Sequence, residues 1–97
     1  MNLPVILSPA ADREFEEAAA WYEQEAGLGD KFVERVQEAL DRIGQMPELH
    51  ATIYQELRRI RVQGYPYNVV YRILIDRIEV IAVLHNKRDP KIWKFRA

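Results

Sequence analysis

An α+β domain, with an N-terminal strand and a helical hairpin laid on an antiparallel sheet, is what this 97-residue chain predicts. Three observations carry that expectation. Apolar residues recur at helical spacing from Phe15 to Ile43, alternate with the two-residue period of a strand after Leu57, and are interrupted between the two helical stretches by Gly27-Leu28-Gly29. At 48% hydrophobic and 30% charged, residues 1–97 form one domain with apolar surface for a single two-layer core.

Each element has its own signal. Residues 3–7 are a short apolar run suited to a strand, and Ser8-Pro9 then supplies an N-cap and a proline at the first helical position. In the helix that follows, Phe15, Ala18, Ala19, Tyr22 and Ala26 form the packed face, while Glu14, Glu16, Glu17, Glu23 and Glu25 fall mostly on the wet remainder. Asp30 is the expected cap of a second helix carrying Phe32, Val33, Val36, Leu40 and Ile43, which Gly44 and Pro47 stop. The period fades over residues 47–55, a connecting loop. Strands are expected at residues 57–62, 67–75 and 78–86, the last two forming a hairpin through Asp76-Arg77. Along the middle strand Tyr67, Val69, Tyr71, Ile73 and Ile75 share the face expected to meet the helices. Asn68, Val70, Arg72 and Leu74 share the face left for a ligand or partner.

Charge divides the chain. The net charge of −1 hides 4 Lys/Arg against 12 Asp/Glu up to residue 56, and 10 Lys/Arg against 3 Asp/Glu from residue 57 onward, that is −8 and +7. The basic half is suited to an acidic partner, either nucleic acid or an acidic peptide segment; the competing account is pairing of the two layers with each other. With no cysteine there is no disulfide framework, and a metal site would rest on His50, His85 and carboxylates alone, so neither metal nor cofactor is expected. No apolar stretch reaches membrane-spanning length and no signal-like block opens the chain, so a cytoplasmic protein without membrane contact is expected.

The polar residues that invite a function follow the last strand: His85, Lys87, Arg88, Asp89 and Trp93. Structural readings exist for several of them, with His85 as a hydrogen-bonded strand end, Arg88-Asp89 as a local ion pair and Trp93 as a lid on a core edge. Arginines clustered on an open sheet face are not required by packing. Arg59, Arg61, Arg72 and Arg88 are therefore the first candidates for contacts with a partner, joined by His85 and Trp93.

The order strand, helix, helix and three antiparallel strands, with PYNVVYRI and IEVIAVLHNKRDPKIW in sequence, resembles the RelE/ParE toxins of type II toxin–antitoxin systems. Arg59 or Arg61, Pro66-Tyr67 and the ending His85-x-x-Arg88-Asp89-Pro90 look most like the ParE branch, the plasmid-stabilisation relatives. The resemblance implies a cognate antitoxin as partner, a toxin–antitoxin hetero-oligomer, and inhibition of DNA gyrase without hydrolysis. RelE-like members of the superfamily instead cut mRNA on the ribosome, and in that alternative His85, Arg61 and Arg88 are the catalytic candidates. Against it, the RelE-like pattern has arginine where this chain has Asn68, and asparagine cannot neutralise a developing phosphorane. Arg72 is roughly 13 Å further along the strand, too far to replace it.

Overall fold

Ser8 starts the first helix in the expected way. Its Oγ accepts the Ala11 N–H at 3.2 Å, Pro9 follows, and the helix α1 runs Pro9–Ala26. The computed structural model describes residues 3–97. Before α1 lies β1 (Val5–Leu7), and after it come α2 (Gly29–Gln45), β2 (Thr52–Tyr54), β3 (Leu57–Arg61), β4 (Tyr67–Ile73), β5 (Ile78–His85) and the short helix α3 (Lys91–Lys94). The sheet order is β1-β5-β4-β3-β2. Strands β3 to β5 are antiparallel as expected and β2 joins β3 antiparallel, but β1 lies parallel to β5, so the sheet is mixed. A parallel partner needs a crossover, and the helical hairpin between β1 and the rest of the sheet supplies it.

The turn between the helices depends on two glycines for different reasons. Gly27 caps α1 at φ 66°, in the left-handed region that a side chain resists. Gly29 instead lies against α1: a Cβ there would stand 2.8 Å from Glu23 Cβ and 3.0 Å from the Ala19 carbonyl oxygen. Asp30 is not the cap of α2. It sits in the first turn, while Glu23 reaches across from α1 and its Oε1 accepts the Gly29 N–H at 3.0 Å. A carboxylate from the neighbouring helix thus satisfies an orphan donor and compensates the helix dipole.

The main core lies between the helices and the sheet. Phe32, Val36 and Ile43 of α2 meet Val69, Tyr71, Ile78 and Val80, all fully buried, and Phe32 forms aromatic contacts with Phe15, Tyr22, Tyr65 and Tyr67 at 5.0–6.1 Å between centroids. Tyr67, Val69, Tyr71 and Ile73 face the helices as the alternation predicts. Ile75 does not, because β4 ends at Ile73 and the hairpin closes through Leu74 N–H to the Arg77 carbonyl at 2.8 Å, leaving Ile75 at the tip and 99% exposed.

The opposite face is less open than the alternation suggests. Val70 is buried there with Leu57, Ile81, Ala82 and Leu84 in a second cluster, and Ile92 and Trp93 pack over it from α3. The loop expected over residues 47–55 also contains β2, which pairs with β3 around Gln55 at φ 51°. Three residues and a turn with neither glycine nor asparagine leave little signal in the sequence. The rest of that connection is pinned by Tyr71, whose hydroxyl donates to the Pro47 carbonyl at 2.7 Å, and by Arg58, which donates to the His50 carbonyl at 2.6 Å.

Two stability tests follow from these contacts. Gly29→Ala must move Glu23 or the α1 backbone and should lower unfolding free energy by about 1–3 kcal/mol in urea melts. Burial raises the phenol pKa of Tyr22, Tyr67 and Tyr71, with Arg58 partly opposing it at Tyr71. The unfolded chain therefore loses these protons first. The stability they contribute is fully present below the usual tyrosine pKa of about 10 and declines as pH rises through the folded values. Thermal melts across that range, read against tyrosinate absorbance, should show this decline, and Tyr71→Phe should reduce its slope.

Candidate functional site

Strand β5 places the polar cluster, and an irregularity in β5 decides which way it points. Opposite Val70 stands Ala82, but opposite Tyr71 stands Val80, so Ile81 is an extra residue, a bulge. It inverts the alternation along the strand: Ile78, Val80 and Val83 pack toward the helices, whereas Ile81, Ala82 and Leu84 join the cluster under α3. Beyond Val80 the edge of β5 has no β1 to pair with. Two side chains take over, the Glu14 carboxylate accepting the Val83 N–H at 3.1 Å and Arg96 donating to the Ile81 carbonyl at 2.8 Å. Glu14 and Arg96 also bind each other through two contacts of 2.8 and 3.1 Å, with side chains only 16% and 27% exposed. Glu14 thus does not belong to the wet face of α1. Among the described residues, this is the ion pair that joins the acidic and basic halves of the chain.

On the face away from α1 and α2, Arg59, Asn68, His85, Arg88 and Trp93 surround a cleft of about 60 Å³ floored by Val70 and Leu84. Alternation on β3 directs Arg59 and Arg61 to this face because Ile60 is spent in the core; Val70 and Asn68 are their partners across the ladder. Trp93 returns to the sheet on α3, which Asp89 initiates by accepting the Lys91 N–H at 2.9 Å. Asp89 therefore acts on backbone, and the Arg88–Asp89 ion pair offered as the structural reading is not formed among the described residues. Arg59, Arg61 and Arg88 are exposed and make no ion pair among the described residues. Arg72 is not part of the group, since Glu79 holds it at 2.8 Å toward the other end of β4.

His85 is tied into the turn that follows it. Its Nδ1 accepts the Lys87 N–H at 3.1 Å, its carbonyl accepts the Arg88 N–H at 3.0 Å, and its ring stands edge-on to Tyr67 at 5.3 Å. An imidazole that accepts at Nδ1 carries its neutral-form proton on Nε2. The free nitrogen is then a hydrogen-bond donor with no lone pair for abstracting a proton. Among the described residues no three His, Asp or Glu side chains converge as metal ligands.

A second groove opens on the helix side of the same strand end, between α1 and β5. Glu17, Trp21, Tyr67, His85 and Arg88 line it, and Trp21 is 53% exposed. Around Trp21 the groove continues over Tyr22 and Pro66 as an apolar surface. Sequence reasoning passed over Trp21. Its signal was its spacing, because residues 14, 17, 18 and 21 share one helix face, and there a large aromatic stands beside two carboxylates.

The family described as ParE toxin of type II toxin-antitoxin system, parDE, matches residues 5–90. No curated protein matches the chain in sequence. Solved structures share its fold at low identity. The chromosomal ParDE toxin–antitoxin system of P. aeruginosa aligns with a TM-score of 0.75 and 14% identity, covering 86% of this chain and 95% of that one. A mutant of the E. coli toxin RelE in the free state aligns at 0.73 and 16%, covering 97% and 93%. A mutant RelE in complex with a peptide of the antitoxin RelB aligns at 0.69 and 15%, covering 100% and 96%. Among the described residues no helix is long and apolar enough to cross a membrane.

The Glu14–Arg96 pair yields a test of its own. Arg96→Met keeps the aliphatic stem but leaves a sheltered carboxylate without its cation and the Ile81 carbonyl without its donor. It should cost about 1.5–3 kcal/mol in denaturant melts and speed hydrogen exchange at the Val83 amide. Exchange unchanged at Val83 would mean that Arg96 does not hold the bulge.

Proposed function

Because the chain belongs to the ParE toxin family of type II toxin–antitoxin systems, we propose that it acts by binding DNA gyrase and blocking supercoiling, without cutting nucleic acid. An antitoxin produced with it neutralises it. The observation that carries the non-hydrolytic reading is the state of the cleft. Cleavage of RNA through its 2′-hydroxyl needs a proton acceptor, a proton donor and a cation at the phosphorane. Here Asn68 stands beside Arg59, His85 has its Nδ1 lone pair engaged by Lys87 N–H, and Tyr67 keeps a phenol pKa raised by burial despite Arg88. The cleft can hold an anion. It lacks a base.

Arg59, Arg61 and Arg88 are the cations available to an antitoxin segment that offers carboxylates and buries apolar side chains over Trp93 and the neighbouring sheet. Sheltered charge-assisted hydrogen bonds contribute roughly 1.5–3 kcal/mol each. Tyr54, 37% exposed and edge-on to Trp93 at 6.3 Å, supports a protein partner, since such recognition combines a few buried anchors with a polar rim.

Purified protein should inhibit gyrase supercoiling while leaving ribosome-bound mRNA intact, and Asn68→Arg should create no nuclease. Arg61→Glu should weaken antitoxin binding about tenfold or more, with the loss largest at low salt. Codon-positioned mRNA cuts that vanish in a folded His85→Ala variant would replace this reading with the endonuclease one.

A further inference from the structure

The edge of β5 next to α1 is left with one incomplete pair of backbone groups. Ser8 N–H donates to the Val80 carbonyl at 2.9 Å and ends the β1 ladder, and Glu14 and Arg96 take the Val83 N–H and the Ile81 carbonyl. On the other side Asn86 N–H donates to the Pro66 carbonyl at 2.8 Å, so by alternation Leu84 turns toward β4 and Val83 and His85 turn toward the free edge. The His85 carbonyl is already taken by the Arg88 N–H. What remains, among the described residues, is the Val83 carbonyl and the His85 N–H, the two groups flanking Leu84.

That pair selects a direction. In a parallel ladder one residue bonds to the groups on either side of its opposite number, which is how Ile6 stands against Glu79 in the β1–β5 pairing. An antiparallel strand needs both groups of a single residue, and neither Val83 nor His85 has both free. The walls add a side-chain order. Glu14 meets Val83 and Trp21 lies with His85, so α1 runs in the direction of β5 and the groove leads from Glu17 to Trp21, with Arg88 in the turn that follows His85. We propose that this groove docks an extended segment of gyrase, parallel to β5, with a basic, then an apolar, then an acidic side chain from N- to C-terminus.

The inference rests on the gyrase reading and adds the surface and the chemistry of the segment it takes. The Glu17 carboxylate disfavours an acidic antitoxin segment here, Glu14 being neutralised by Arg96, whereas the opposite cleft, lined by arginines, favours it. Arg88 lines both. A carboxylate held by Arg88 on the antitoxin side therefore removes the cation that the groove needs, which gives neutralisation a physical route.

The experiment is supercoiling by purified gyrase titrated with wild-type protein and with Trp21→Ala, Glu17→Arg and Glu34→Arg, each checked by circular dichroism, alongside antitoxin affinity by calorimetry. Trp21→Ala and Glu17→Arg should raise the half-inhibitory concentration about tenfold or more and leave antitoxin affinity unchanged. Glu34→Arg makes the same charge change on the exposed surface of α2 and should inhibit like wild type. Should Trp21→Ala fail to fold, Glu17→Arg against Glu34→Arg decides. If wild type inhibits and Glu17→Arg matches it, or Glu34→Arg loses as much, the groove is not the gyrase surface and the gyrase reading stands. Loss of antitoxin affinity in Glu17→Arg would assign the groove to the antitoxin. A wild-type protein that leaves supercoiling untouched overturns both.

Discussion

Strand β5 is the constraint around which the rest of the molecule is arranged. It is buried on both faces over most of its length, with helices on one side and α3 on the other, and it must pair along both edges to avoid stranding backbone groups. β4 pairs with one edge from Ile78 to His85, interrupted at Ile81. β1 satisfies the other only as far as Val80, and there the bulge at Ile81 and the Glu14–Arg96 pair take over. The chemistry of that substitution is simple: a carboxylate accepts what a strand carbonyl would have accepted, and a guanidinium donates what a strand amide would have donated. Binding each other, the two side chains also escape the cost of lone buried charges.

The bulge has a consequence at the far end of β5. If the same sequence ran as a regular strand, His85 and Leu84 would exchange faces. With the bulge, Leu84 floors the arginine-lined cleft while His85 leans on Tyr67 at the boundary between that cleft and the groove along α1. The two surfaces differ in charge, one rimmed by Arg59 and Arg88 and the other by Glu17 and Glu14. One small sheet therefore offers two sides with opposite preferences, and Arg88 belongs to both.

Structures of ParDE and RelE superimpose on this chain at 14–16% identity, so the backbone is shared by proteins whose side chains have largely diverged. Few positions need to persist for that. In this chain the helical period, the close helix crossing at Gly29 and a β-rich half with alternating apolar residues build the layers. Activity is a separate matter, decided by what stands on the sheet face.

The helices, the three long strands and the residues of the main core were legible in the sequence because each follows from a local rule: Ser8-Pro9 starts a helix, Gly27 ends it, and alternation from Tyr67 to Ile73 selects a face. The charge division was legible for the same reason. Interactions between distant residues were not. Residues 14 and 96 meet across a sheet edge, Glu23 rather than Asp30 serves α2, Glu79 withdraws Arg72 from the arginine group, and β2 exists because β3 presents an edge to it. Periodicity is a property of neighbours along the chain, so the sequence by itself determined which residues are apolar on which face. The parallel placement of β1, the bulge in β5 and the choice of free or paired cations depend on backbone groups finding partners in three dimensions, and only the tertiary structure decided them.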